Sequence, residues 1–532
     1  MRTYGHRVLF LPAFVVLLAT VLAVGQRPAL ADGAPTGQDV HVAQTLGTRE
    51  LSVILRRVDE VPGPLRVEVL THAGTSSGTL TGTSGDSAGA ASATGSGAAS
   101  ATGSGVASGV GGGRLTLRLV PTGASGADDG LPVAGTVVSQ GELVLGATPG
   151  VYGTTLRVDR PGPWELTVDD GRDSGRIPFV VPAPISSPPD TVAYAGFSVA
   201  GGLLLVALGT AVWSRRWWVP LVPACGMVAS LATGVTGAAL SPLTPQPPLP
   251  GRQVDATVDN VVSPYTAAGP VNADYSRPPV NMLVRASETT SGRLADLDLL
   301  LTDGSTGRPV EDLLVHDDAL VHLLVVSPSG RLWHLHPVMA APGRYRVGLA
   351  LAEPGHYAIS AELARRGGGV QLVRSASGLD VGPGATPVAA APQPGGPGPR
   401  EIDGVKVDLA VTAPSAGAAT TVTVKVGERA DLQPWLGMVG HLIVVGPLPD
   451  STPVGAAAQT APVWGHVHAM APRPRGAASR PDETVAMFGP EVRFTHTFPE
   501  PGRYRLWAQV ERGYALVTVP AVLDVTAQEG DS

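Results

Sequence analysis

The stretch FPEPGRYRLWAQVERG, Phe498 to Gly513, sets a Pro-Gly turn and one tyrosine ahead of a run that alternates apolar and polar residues. Proline fixes one turn position, glycine supplies backbone freedom, and a period of two is that of a half-buried strand. The element recurs upstream, in LAEPGHYAISAELARRG from Leu351 and in VDRPGPWELTVDDG from Val158. Pro-Gly-x-aromatic therefore occurs three times, at Trp164, Tyr357 and Tyr504. An aromatic anchor behind a turn, feeding an alternating strand, suits a β-sandwich of roughly 100 residues. The expectation is a mainly β chain with three sandwiches.

Three blocks follow from this, at 40–184, 281–381 and 401–527. The first carries ELSVILRRV, PLRVEVLTH and RLTLRLVP, all strand-like by period and composition. From 73 to 113 it is interrupted by a Gly/Ala/Ser/Thr tract with ASATGSG duplicated at Ala91 and Ala99. Such a tract buries too little apolar surface to order itself and reads as a disordered insertion. Its GDSAG, Gly85 to Gly89, fits a nucleophile-elbow pattern but lacks the strand before and helix after that the chemistry needs. Proline-rich stretches at 241–280 and 382–400 read as linkers.

Two uncharged apolar segments, 192–213 and 217–240, are each long enough to cross a hydrocarbon core of about 30 Å as a helix. Arg215 and Arg216 lie between them, beside Trp213, Trp217 and Trp218. A positive turn belongs on the cytoplasmic side, which puts both long flanks outside. Residues 1–31 read as an export signal: MRTYGHR is basic, VLFLPAFVVLLATVLAVG is apolar, and a small-residue cleavage site ends at Ala31. The same run could serve as an uncleaved anchor. The expected location is the cell membrane, with the β domains extracytoplasmic.

Composition excludes some functions. The 532 residues carry a formal charge of −7, and of 37 basic residues only Lys406 and Lys425 are lysines. No basic cluster is present to track phosphates, so nucleic acid is not an expected partner. Cys225 is the single cysteine, which rules out an intrachain disulfide. No nucleophile–base pair stands out, and the chain does not read as an enzyme.

The histidines carry the chemistry. In HLLVVSPSGRLWHLHP, His322 to Pro337, the SPSGR segment predicts a three-residue hairpin loop, Pro328 to Gly330, pairing Ser327 with Arg331. Counting outward, Leu324 faces His334 and His322 faces His336. The three imidazoles then share one face, close enough to hold one ion. Val321, Leu323, Val325, Trp333 and Leu335 form the opposite, core face. The third block repeats the residue types, with His441 leading a strand and His466 and His468 in a second H-x-H after a longer loop. Met339, Met438 and Met470 are possible auxiliary ligands, and imidazole with thioether but no thiolate points to copper. His316, Asp317 and Asp318 could add ligands. The competing reading places the histidines on the solvent face of an edge strand.

At HLLVV…HLHP…EPGHY and GHLIVV…HVHAM…FPEPGRYRLWAQVERG the chain resembles YtkA-like and FixH-like extracytoplasmic domains, and more distantly CopC-like copper proteins. That resemblance implies immunoglobulin-like sandwiches outside the membrane and copper handling. One departure is that cleavage would leave Asp32, not a histidine, at the mature N-terminus. Two function classes stay open. One is a membrane-anchored metal-binding protein; the other is a non-metal interaction or scaffold module that binds an envelope protein partner.

Overall fold

The computed structural model describes residues 39–58, 60–73, 112–122, 135–181, 188–241, 278–365, 368–384, 393–472 and 481–528. The expected export signal, most of the 73–113 tract with its GDSAG, and most of the 241–280 linker lie outside the described residues. The chain is mainly β, with two apolar helices between its N-terminal and C-terminal β regions. It divides into a helical unit and a β unit.

The helices span Pro188–Trp213 and Leu221–Leu240, and both are long and apolar enough to cross a membrane. The second starts later than its apolar run because Pro220 is its N-cap and residues 217–220 form the turn. Glycines let the two backbones touch. A Cβ at Gly196 would lie 2.6 Å from the Gly234 nitrogen, and one at Gly237 would lie 2.7 Å from the Ala193 nitrogen.

In the β unit, each block has its own apolar core. Trp164, Tyr357 and Tyr504 anchor the three, each at most 1% exposed. Their polar tips do the same thing. Trp164 Nε1 donates to the Arg160 carbonyl at 3.1 Å, Tyr357 Oη to Glu353 at 2.8 Å, and Tyr504 Oη to Glu500 at 2.8 Å. Each reaches four residues back across the Pro-Gly turn. Gly162, Gly355 and Gly502 have φ of 121°, 126° and 137°, which only glycine adopts without strain. The repeated motif is thus a repeated corner.

The blocks are not separate beads. An eight-stranded sheet joins the first to the second, where strand Ser174–Val181 meets strand Val338–Ala341 through the pair Arg176–Met339. Between the second and third blocks the two sheets that contain the histidine strands pack face to face. Leu324, Val326, Leu332 and Ala358 from one side meet Ile443, Val445, Ala458 and Trp507 from the other in a fourth core. Trp507 Nε1 donates to the Gly330 carbonyl at 3.0 Å across this seam. A fifth cluster of Ala43, Ala319, Trp435 and Leu436 brings all three blocks together.

Two expectations need correction. The 382–400 segment is not linker throughout, because Gly398–Ile402 is a strand paired with Val405–Val411. The loop between His441 and His466 contains a short helix, Val454–Thr460, that docks on the second block. There Val454 N donates to the Pro328 carbonyl at 2.8 Å. A Cβ at Gly455 would sit 2.0 Å from the His356 carbonyl oxygen, so glycine is what permits the approach.

Candidate metal centre

The hairpin forms in the expected register. Ser327 N donates to the Arg331 carbonyl at 2.9 Å, Gly330 has φ of 87°, and Leu324 pairs with His334. Val321, Leu323, Val325 and Trp333 lie in the second core. The opposite face is not solvent. His322, His334 and His336 are 0%, 5% and 0% exposed, because that face is pressed against the third block. The strand Leu332–Leu335 is at its sheet's edge, but its histidine-bearing face is buried, so the solvent-face reading fails.

The third block keeps the same register despite its longer loop. His441 pairs with His468 and Ile443 with His466, as His322 and Leu324 stand to His336 and His334. Face-to-face packing then brings the two sets into one nest. Within the first triad, ring centroids are 4.9–5.5 Å apart. Within the second they are 4.3–5.4 Å apart. Across the seam, His466 lies 5.5 Å from His322 and 5.0 Å from His334, and His441 lies 5.4 Å from His334. Trp435 walls the nest, with its ring 4.9–5.5 Å from those of His334, His336 and His441.

Four of the six outward nitrogens donate to acceptors, and the other two face carboxylates. His322 Nε2 donates to the His316 carbonyl at 2.9 Å and His441 Nε2 to the Trp435 carbonyl at 3.2 Å. Both carbonyls belong to tight turns, His316–Ala319 and Trp435–Met438, with positive φ at both central residues. The two turns sit six residues before their histidines. His334 Nδ1 donates to Gln509 Oε1 at 3.0 Å, while the Gln509 amide nitrogen is spent on Thr518. His336 Nδ1 donates to Glu50 Oε1 at 2.6 Å, His466 Nδ1 points at Glu362 Oε2 3.4 Å away, and His468 Nδ1 lies 3.3 Å from Asp317 Oδ2. Gln509 is paired in register with His441, and Glu362 with His322. Each block therefore orients the first histidine of the other block's H-x-H.

This fixes the inner nitrogens. A carbonyl or carboxylate oxygen can only accept, so in His322, His334, His336 and His441 the ring proton sits on the outward nitrogen and a lone pair on the inward one. His322 Nδ1 and His334 Nε2 then face each other at 3.3 Å with no proton between them. His336 Nε2 is buried without a partner. In the second triad, His466 Nε2 lies 3.2 Å from both His441 Nδ1 and His468 Nε2. Converging lone pairs repel unless a cation lies among them. Ligands on a tetrahedral ion with metal–nitrogen bonds of ~2.0–2.1 Å stand about 3.3–3.4 Å apart, which is the spacing found. Carboxylates and carbonyls on the far nitrogens are the usual second layer of such a site.

Electrostatics agree. Burial, reinforced by neighbouring imidazoles, holds His322, His334 and His441 well below the usual histidine range, and His468 at about 4. Glu362 is buried, which alone would raise it, but His316 and His466 keep it ionised well below the usual carboxylate range. Glu50, similarly buried, is held low by His336.

Beside the nest lie two further histidines, His72 buried and His41 half-buried, that sequence reading did not single out as site residues. His72 Nδ1 meets Glu511 Oε1 at 2.6 Å and its Nε2 meets Ser52 Oγ at 3.0 Å. His41 lies 3.6 Å from Glu483, which also accepts from Gly437 N. Both pairs tie the first block to the third.

The six predicted histidines thus lie together in one nest. Glu50, Glu362 and Gln509 were missed, as was Trp435. His316 and Asp317 are second-layer groups, while Asp318 stands near His41 and Glu483. His496 packs on Phe498 at 4.8 Å, in the third core's outer sheet. The methionines hold no place among the converging nitrogens. Met339 packs against the second core, and Met438 is buried opposite Met470, which is 56% exposed.

Residues 400–527 match the model of a domain of unknown function, DUF8832. No curated protein matches the chain. Similar solved structures include latent PorU from Porphyromonas gingivalis, 8% identical, at a TM-score of 0.15. That match covers 93% of this chain but only 34% of PorU, so the chain spans about a third of it. A membrane-anchored protein of Corynebacterium diphtheriae is 8% identical over 93% of this chain and 97% of that one, at 0.13. The Escherichia coli adhesin FdeC is 8% identical over 92% and 98%, at 0.14. Scores at this level carry no argument for fold or function.

Proposed function

We propose that the chain is an extracytoplasmic metal-binding protein, anchored in the membrane by its helical hairpin, and that the six-histidine nest takes copper. The observation that carries this is the orientation of the imidazoles. The outward N–H groups of His322, His334, His336 and His441 are engaged, and inward ring nitrogens of both triads lie at ligand-to-ligand spacing. An all-imidazole set suits copper and zinc, and divalent copper binds nitrogen donors more strongly than its first-row neighbours. Two apolar helices flanking a positive turn support the membrane anchor and the outward face of the β region. The role is binding or handling of the ion at the cell envelope, not catalysis.

The test is titration of the full chain, purified in detergent and stripped with chelator, with Cu(II), Cu(I) and Zn(II). Tight, saturable copper binding, reduced in the double variant His334→Ala/His336→Ala, is expected. Copper uptake by the wild type no greater than by that variant would overturn the proposal and leave an interaction module as the better reading.

A further inference from the structure

We infer that the nest is a two-ion centre, with one ion held by His322, His334 and His336 and the second by His441, His466 and His468. This rests on the metal reading above and adds its stoichiometry and the coupling of the two sites.

Every pair of rings within a triad lies at 4.3–5.5 Å. In the first triad three ring nitrogens lie within 4.8 Å of one another, and in the second His466 Nε2 lies 3.2 Å from both His441 Nδ1 and His468 Nε2. Three imidazoles plus an open position is a standard ligand set for one ion. Six nitrogens on a single ion would demand octahedral edges of about 2.8–3.0 Å, shorter than the 3.2–3.3 Å observed. The supporting layer is also duplicated. The His316 and Trp435 carbonyls serve the strand-leading histidines, and Glu362 and Gln509 serve His466 and His334.

The triads abut. The inward nitrogens of His334, His441 and His466 all lie within 4.8 Å of one another, although His334 belongs to the other triad. Two ions here are separated by a few ångströms, on the order of the ~3.5–4 Å of known two-metal sites. Glu50, Asp317 and Glu362 supply negative charge around the pair, which offsets what two divalent ions would bring into a buried site.

The experiment loads the full chain in detergent with Cu(II), removes excess by gel filtration, and measures copper per chain by mass spectrometry and spins per copper by electron paramagnetic resonance. Two coppers per chain are expected, with a spin count well below two because neighbouring Cu(II) ions couple magnetically. One copper per chain, with a full spin, would overturn the two-ion inference and leave the metal reading standing. None would overturn both. Two coppers with two isolated spins would place the second ion elsewhere and also refute the inference. As a second arm, His322→Ala/His336→Ala and His441→Ala/His468→Ala should each retain one copper with a full spin. Loss of all copper in either folded variant would mean a single shared ion.

Discussion

Glu50 lies in the first block, which contributes no ligand, yet its carboxylate accepts from His336 Nδ1 at 2.6 Å and also from Thr45 Oγ1 at 2.6 Å. Thr45 Oγ1 in turn accepts from the His336 backbone nitrogen at 2.8 Å. Replacing Glu50 by alanine removes the acceptor that fixes the tautomer and direction of a fully buried ligand. Loss of such a partner typically costs 10–100-fold in metal affinity, or about 1.4–2.7 kcal/mol. Glu50→Gln keeps an acceptor oxygen but loses the charge, so its effect should be the smaller of the two. Competition of Cu(II) between the full chain and a chelator of known affinity reads this directly, with circular dichroism to verify folding. Wild-type affinity in a folded Glu50→Ala variant would refute the claim that the first block helps build the centre.

Three further outcomes follow from the same geometry. Because burial depresses His322, His334 and His441, with His468 at about 4, protons compete weakly for these nitrogens. Copper should therefore stay bound well below pH 6.5, where an exposed histidine site would release it; release tracking the ordinary imidazole range would contradict this. The metal-free protein should in contrast lose stability as pH falls below about 6.5, since His322, His334, His441 and His468 take up protons there in the unfolded state but not in the folded one. His41 shows the opposite sign. Burial alone would lower it, but Glu483 raises it to about 9, so the pair stabilises fully below pH 6.5. That contribution, about 3 kcal/mol, is lost as pH rises toward 9 and beyond. His41→Gln should flatten this part of the pH–stability curve, and an unchanged curve would remove the pair from the account. Gly455→Ala places a methyl 2.0 Å from the His356 carbonyl oxygen and should weaken the second–third block seam by about 1–3 kcal/mol. Hydrogen exchange of the Val454–Thr460 helix would show faster exchange if this is right and no change if it is wrong.

Much of this was legible locally. The hairpin register followed from Pro328 and Gly330, and the repeated corners from Pro-Gly-x-aromatic, because turn chemistry acts over a few residues. What sequence concealed was tertiary. Leu324 and Val326 look like ordinary alternates on a histidine-bearing face, and only packing on Ile443 and Val445 turns that face inward and fuses two candidate sites. Glu362 and Gln509 had a faint signal, since each is a polar residue five places after its corner tyrosine, in the middle of a buried strand. Glu50 had none. It sits more than 280 residues from His336, as their sequence separation of 286 states, in a block whose own pattern shows no H-x-H.

The most direct test of the centre is X-ray absorption at the copper edge of the loaded full chain. A first shell of imidazole nitrogen at about 2.0 Å is expected, with the multiple scattering of rigid rings and no sulfur. A sulfur shell near 2.3 Å, or light atoms without imidazole scattering, would contradict it.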